Sequence, residues 1–309
     1  MCIFSRPIIS VDSTQIFARA TSQGTQFLAY QLNYESPDEN AMILPLPVRQ
    51  PVRDDSLRFI DLKSYGTLFH DLAQGFPYSR SSGIACAAPH KSVSGRNLKV
   101  FEVGNYVASF VPTLADFSRL DARFSLPEAV WAQVPQYKNF GFAMFQLAAG
   151  SLKPHPMAFE FETATEKIYF PTLHIHDGEI HKTEEFDHIL YLQHAGFDSR
   201  VYGYKNSNIS DPSTGLVRSK HAAGQFCDIA RSSGLVSGDL LVHRQIIQGN
   251  HPNQDTEIVT SGDPTNRTLN LRPYLTYTPW AFAAAVTMWF FARRARIKRN
   301  RTAVDASDG

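Results

Sequence analysis

Short alternating segments cut by proline, glycine and aspartate recur along this chain, and they limit its fold more than any other feature. Residues 26–34 alternate apolar side chains over both faces of an extended strand, and residues 140–147 repeat the pattern. Residues 41–46 form an apolar run that Pro45 and Pro47 cut short, because proline cannot donate to a central ladder. We therefore predict an α+β fold of largely antiparallel β-sheet layers or a sandwich, with a few short helices.

Two segments carry helical spacing. Residues 61–73 place apolar side chains on one helical face, and residues 215–230 hold the best helical pattern in the second half of the chain. No composition shift marks a linker before residue 260. The sequence thus predicts one globular α+β domain over residues 1–262, followed by a linker over 263–273.

The C-terminal region changes character. Residues 274–292 carry no charge, and a helix of that length spans about 28 Å, close to the hydrocarbon thickness of a bilayer. A basic tail, 293–309, follows. We expect a transmembrane or membrane-associated apolar helix at 274–292, with membrane lipid as its partner through residues 274–301. The N-terminus lacks a signal peptide pattern, so a membrane-associated protein with its body in the cytoplasm is expected.

Charge and cysteine usage exclude other classes. The net charge is +1, and because the tail holds much of the positive charge, the body is mildly acidic. We therefore expect no nucleic-acid partner, while protein partners stay unidentified. Cys2, Cys86 and Cys227 form no CxxC pair, which favours a reducing compartment.

Residues 169–188 concentrate metal-ligand side chains. Asp177-Gly178 between alternating residues predicts a two-residue hairpin, which places His174, His176, Glu179 and His181 on one face. Three imidazoles and a carboxylate on one face suit a divalent metal ion such as zinc or iron. The alternative is a hairpin whose histidines are structural or simply exposed.

The N-terminus suggests a different chemistry. Met1-Cys2-Ile3-Phe4, a turn, and then Ile16-Phe17-Ala18-Arg19 resemble the opening hairpin of cysteine-type N-terminal-nucleophile hydrolases such as conjugated bile acid hydrolases. The resemblance implies amide hydrolysis with Cys2 as the nucleophile and Arg19 beside it, the free α-amine serving as base. The alternative is that Cys2 is a small buried apolar residue.

A second resemblance covers more of the chain. Residues 27–34, the acidic turn 36–40 and the run 42–47, which ends in Pro-x-Pro, resemble an uncharacterised bacterial family whose members open with a cysteine. That family has no assigned activity to imply.

Three classes of function therefore stay open. They are a membrane-associated metal-binding protein or metalloenzyme built on the 169–188 hairpin, an N-terminal-cysteine amide hydrolase, and a non-catalytic binding or scaffold protein. Walker A, Gly-x-Gly-x-x-Gly, His-Glu-x-x-His and Gly-x-Ser-x-Gly patterns are absent from the sequence. Their absence disfavours common NTPases, dehydrogenases, zincins and esterases.

Overall fold

A computed structural model describes residues 3–76, 100–103, 106–199, 201 and 215–259. Contacts divide the chain into a first unit, Met1–Arg267, and a second unit, Thr268–Gly309. All described residues belong to the first unit.

Strands dominate the described part of the chain. In chain order they are β1 (Ile3–Phe4), β2 (Ser10–Ala20), β3 (Thr25–Ser36), β4 (Asn40–Leu46), β5 (Leu57–Ile60), β6 (Val100–Val103), β7 (Tyr106–Val111), β8 (Gly141–Leu147), β9 (Gly150–Leu152), β10 (Met157–Glu162), β11 (Ile168–Phe170), β12 (Thr183–Gln193), β13 (Val217–Ala222), β14 (Leu241–Pro252) and β15 (Thr256–Ile258).

The helices are short. The α-helices are α1 (Leu68–Gln74), α2 (Glu128–Trp131) and α3 (Ala195–Asp198), and the 3₁₀ turns are Lys63–Tyr65, Leu114–Arg119, Ala122–Phe124, Pro135–Asn139 and Ala223–Gln225. The predicted sheet-rich α+β fold with few short helices is therefore confirmed for this part of the chain.

Two sheets form the body. The smaller has the order β1-β4-β8-β7-β6, and the larger has the order β13-β14-β12-β2-β3-β10-β5, with β9 joining β3. Neighbouring strands run antiparallel except β12 and β2, which are parallel. A two-stranded ladder of β11 and β15 completes the pairing.

Three buried clusters show how these layers pack. The main core lies between the two sheets, where Tyr30 and Leu190 of the larger sheet join Phe145 of the smaller. The outer face of the larger sheet is covered in part by α1 and by residues 223–236, which pack on Phe17 and Tyr191. We call the side of the larger sheet that packs on the smaller sheet its inner face, and the side that α1 and residues 223–236 cover in part its outer face. The third cluster covers the far side of the smaller sheet.

One predicted helix is wrong. Residues 217–222 form β13, followed by a single 3₁₀ turn, where helical spacing predicted a helix over 215–230. The backbone explains the difference, because Ala223 N–H donates to the Leu240 carbonyl and Gly224 N–H to the Gly238 carbonyl. A Cβ on Gly224 would lie 3.0 Å from the Gly238 carbonyl oxygen, so this close backbone approach needs glycine. Long-range pairing thus overrides a local pattern.

The predicted membrane helix, 274–292, and the basic tail lie outside the described residues, as does the linker. None of the helices that the structure does describe is long and apolar enough to cross a bilayer. The expectation of a transmembrane helix therefore gains no support, and the lipid partner through 274–301 stays a prediction.

The amide of Gln26 ties the small β11–β15 ladder to the larger sheet. Its Nε2 donates to the Tyr169 carbonyl at 2.7 Å, and its Oε1 accepts from the Tyr169 N–H at 3.0 Å, in a site closed to solvent. We expect Gln26→Ala to lower the free energy of unfolding by about 2 kcal/mol, because both peptide groups lose their partner. Urea denaturation measures this, with the exposed Gln23→Ala as the matched control. Equal stability of the two variants would contradict the assignment.

Candidate functional site

The segment predicted as a metal-binding hairpin has a different structure. Between β11 and β12 the chain runs irregularly, and Ile175 forms a parallel bridge with Ile3 of β1. A bend forms at Asp177-Gly178, with Gly178 at φ +88° and the Asp177 carboxylate accepting from the Glu179 N–H at 3.0 Å, but Asp177 lacks the positive φ that a type I′ hairpin turn needs at both central residues. The two flanks of this bend do not pair with each other, so the predicted shared face is not made.

Asn253, at the end of β14, holds this segment in place. Its Oδ1 accepts from the His174 N–H at 2.7 Å, and its Nδ2 donates to the carbonyls of His174 and His181. Its own N–H donates to the Lys182 carbonyl at 3.0 Å. The Asn253 side chain thus supplies hydrogen-bond partners for backbone groups on both sides of Asp177-Gly178. In a paired hairpin the two flanks would supply these partners to each other.

The predicted ligand residues separate into two groups. His174 and His176 turn inward and stack with His188 of β12 in a column, with ring centroids 5.1 and 5.2 Å apart. Phe186 covers the column, its centroid 4.3 Å from that of His174. His181 instead lies at the surface with its Nε2 3.0 Å from the Asp177 carboxylate, and Glu179 is exposed.

Burial keeps the rings of His174 and His176 neutral near pH 7. Desolvation lowers the pKa of His176 to about 4, and it lowers the pKa of His174 further still. The neighbouring His188 is fully buried, and neither of its ring nitrogens has a hydrogen-bond partner among the described residues. The pKa of His181 shifts in the opposite direction: this histidine lies at the surface, and its hydrogen bond to Asp177 raises its pKa.

These positions correct the metal-binding expectation. No group of three or more His, Cys, Asp and Glu side chains that could hold a metal ion occurs in the part of the chain that the structure describes. The His176 and His181 side chains share only the wall of an open depression of about 560 Å³, whose lining is His176, Asp177, His181, Lys182, Thr183 and Glu184. The zinc or iron site predicted from the sequence is therefore not retained.

The hydrolase expectation stays a prediction, because Cys2 lies outside the described residues. Arg19, its predicted neighbour, donates from Nε to the Leu235 carbonyl at 2.8 Å and from Nη2 to the Gly234 carbonyl, and it lies 4.3 Å over the Phe27 ring. The guanidinium is thus engaged in packing the loop before β14 onto the sheet. Cys227, a buried thiol whose pKa desolvation raises to about 12, is unsuited to act as a nucleophile near neutral pH.

Strand β14 supplies the feature that sequence reasoning missed. Along its length, from His243 to Pro252, it pairs with β12. Its other edge pairs with β13 only at Leu241, His243 and Arg244, so residues 245–252 have an edge without a strand partner within the described structure, which we call the open edge. On this stretch the Gln248 carbonyl accepts from the His251 Nε2 at 3.0 Å.

The direction of the β14 amides follows from one bond. The Val242 N–H donates to Ser219 Oγ on β13 at 3.0 Å, which shows that this amide faces away from β12. Since amide direction alternates along a strand, the Ile246 and Gln248 amides face the same open side.

The side chains along this open edge are uncharged. Residues 245–252 contain no Lys, Arg, Asp or Glu, which are the residues that commonly protect a strand edge from pairing. Ile246 is 52% exposed and lies opposite the half-buried Ile189 on the outer face of the larger sheet. Pairing of a strand on one side only cannot be read from a single sequence.

Comparisons with known proteins give distant likenesses only. No protein-family model matches the chain, and no curated protein sequence matches it. The crystal structure of baculovirus P35 matches with a TM-score of 0.44 and 13% identity, over 85% of this chain and 100% of that one. A mutated baculovirus P35 after caspase cleavage matches with a TM-score of 0.43 and 14% identity, over 82% and 99%.

A third similar structure is the caspase-8/P35 complex, with a TM-score of 0.39, 13% identity and coverage of 80% of this chain and 95% of that one. All three TM-scores are below 0.5. These likenesses assign neither a fold family nor a function to this chain.

Proposed function

We propose that this protein is a non-catalytic binding protein, which takes an extended segment of a partner protein as an added strand along residues 245–252 of β14. The open edge of β14 carries this proposal. Backbone N–H and C=O groups without a strand partner are a ready template for another strand, and several peptide-binding domains recognise their ligands in this way.

Three further observations support strand addition at this edge. The stretch lacks the charged residues that would oppose pairing, and Ile246 offers an exposed apolar contact. The ladder to β12 is long and regular, so the template is held in one register. The backbone of β14 is also anchored beyond the edge, since Asn253 bonds the 174–182 segment.

A random nonapeptide display library, panned against the full-length protein, tests the proposal. We expect enrichment of peptides with apolar or β-branched residues at alternating positions. N-methylation of alternate peptide nitrogens in one register should weaken binding about tenfold or more, because each methyl removes a ladder hydrogen bond, whereas the other register should tolerate it.

Two substitutions at Gln248 separate the role of its backbone N–H from that of its side chain. Gln248→Pro deletes an outward amide and should abolish binding, while Gln248→Ala should bind as the parent does. Library panning that enriches no peptide, or peptides indifferent to N-methylation in both registers, would overturn strand addition as the function.

A further inference from the structure

The surface beside the open edge of β14 carries negative charge. On β12, Glu185 lies opposite Asn250 and Asp187 lies opposite Gln248. Side chains alternate between faces along β12. Leu190 and Leu192 belong to the inner core, whereas Tyr191 and Ile189 pack in the outer cluster, so Glu185 and Asp187 lie on the outer face with Ile189.

These two carboxylates carry no lysine or arginine partner among the described ion pairs. Asp187 accepts from the Ser13 N–H at 2.5 Å, its side chain is 38% exposed, and its nearest ionisable contact is His188 at 3.8 Å. Glu185 is exposed. Between them and the open edge lie only the uncharged side chains of Gln248 and Asn250.

We propose that the partner segment is basic, with an apolar side chain beside Ile246 and lysine or arginine at the next two alternate positions, beside Gln248 and Asn250. This inference rests on the proposed strand addition and names the chemistry of the partner. A strand added to β14 would lie two strand spacings from β12, or about 10 Å. Lysine and arginine side chains are long enough to cross the short Gln248 and Asn250 and reach the carboxylates.

Charge complementarity selects this occupant over the alternatives. An acidic segment would meet Glu185 and Asp187 with like charge, and an uncharged segment would leave both carboxylates without a cationic partner. Ile246 fixes the apolar end of the pattern, because it is exposed and lies opposite the half-buried Ile189 at the other end of the same outer face. The resulting order is apolar, basic, basic, each separated by one residue that faces the other side.

Two blocked peptides test the inference with the full-length protein. The first is Ac-Thr-Val-Thr-Lys-Thr-Lys-Thr-NH2, and the second has glutamine in place of both lysines. We expect the lysine peptide to bind about fivefold to tenfold more tightly at low ionic strength, with the advantage lost at high salt, as for exposed ion pairs. Isothermal titration measures both affinities.

Reversing the charge of Glu185 provides a second and more specific test. Glu185→Lys, at an exposed position, should weaken the lysine peptide about tenfold and improve the binding of a peptide with glutamate in place of lysine. Glu35→Lys, also exposed but on β3, is the matched control and should leave the preference unchanged.

The outcomes separate this inference from the proposed function. Equal binding of the lysine and glutamine peptides, or equal effects of Glu185→Lys and Glu35→Lys, would overturn the basic partner and leave strand addition standing. Failure of both peptides to bind at millimolar concentration would overturn both.

Discussion

Replacing Asp255 by alanine should lower the free energy of unfolding by about 3–5 kcal/mol, because three donors lose their acceptor at once. The Tyr137 hydroxyl donates to Asp255 Oδ2 at 2.6 Å, and the Thr172 and Leu173 N–H groups donate to Oδ1 at 2.9 and 3.1 Å. These bonds join the turn before β15 to the start of the 171–182 segment. Urea denaturation of the purified variant measures the loss.

Two variants control for the Asp255 result. Asp255→Asn keeps one acceptor oxygen for the two backbone amides and should cost about 1–2 kcal/mol. Asp54→Ala removes an exposed carboxylate and should stay within about 0.5 kcal/mol of the parent protein. An Asp255→Ala protein that loses less than about 1 kcal/mol would show that these bonds do not hold the segment.

Acid should destabilise the protein through its histidine column. Because burial lowers the pKa of His174 and His176 in the folded state, both states carry neutral rings above about pH 6.5, and the column costs nothing there. As the pH falls below 6.5, His174 and His176 become protonated in the unfolded chain but stay neutral in the folded chain. Each of the two histidines then lowers the free energy of unfolding by about 1.4 kcal/mol per pH unit, and for His176 this continues down to about pH 4.

Comparison with a column-free variant isolates this effect. Burial raises the pKa of Asp187 and Asp255, which adds stability in acid and opposes the histidines in the parent protein. The double variant His174→Phe, His176→Phe keeps the ring stacking and should remove up to about 2.7 kcal/mol per pH unit of acid sensitivity between pH 6 and 5. Urea midpoints at pH 7, 6 and 5 measure it, with the exposed His70→Phe as control. Parallel pH curves for the parent and the double variant would contradict buried neutral rings.

Strands set by local pattern could be predicted from the sequence. Residues 41–46 and 140–147 match β4 and β8 closely, since alternation, prolines and turn residues lie within or beside the segment itself. The same local chemistry placed a change of chain direction at Asp177-Gly178, but not the paired hairpin around it.

Features that depend on distant partners could not be predicted. The flanks of the Asp177-Gly178 bend bond Ile3 and Asn253, which are far away in sequence, so the predicted metal face never assembles. His188 completes the column from β12, and its place beside His174 follows only from the tertiary fold. The open edge of β14 likewise depends on where β13 stops, and that pairing replaces the helix expected at 215–230.

Amide hydrogen exchange at Ile246 and Gln248 tests strand addition to β14 most directly. In the free full-length protein these two amides should exchange much faster than those of Gln245 and Ile247, which face β12. Saturation with a peptide enriched from the library should slow Ile246 and Gln248 about tenfold or more and leave the inward amides unchanged. Outward amides that are already protected in the free protein, or that a bound peptide fails to slow, would contradict β14 as the binding edge.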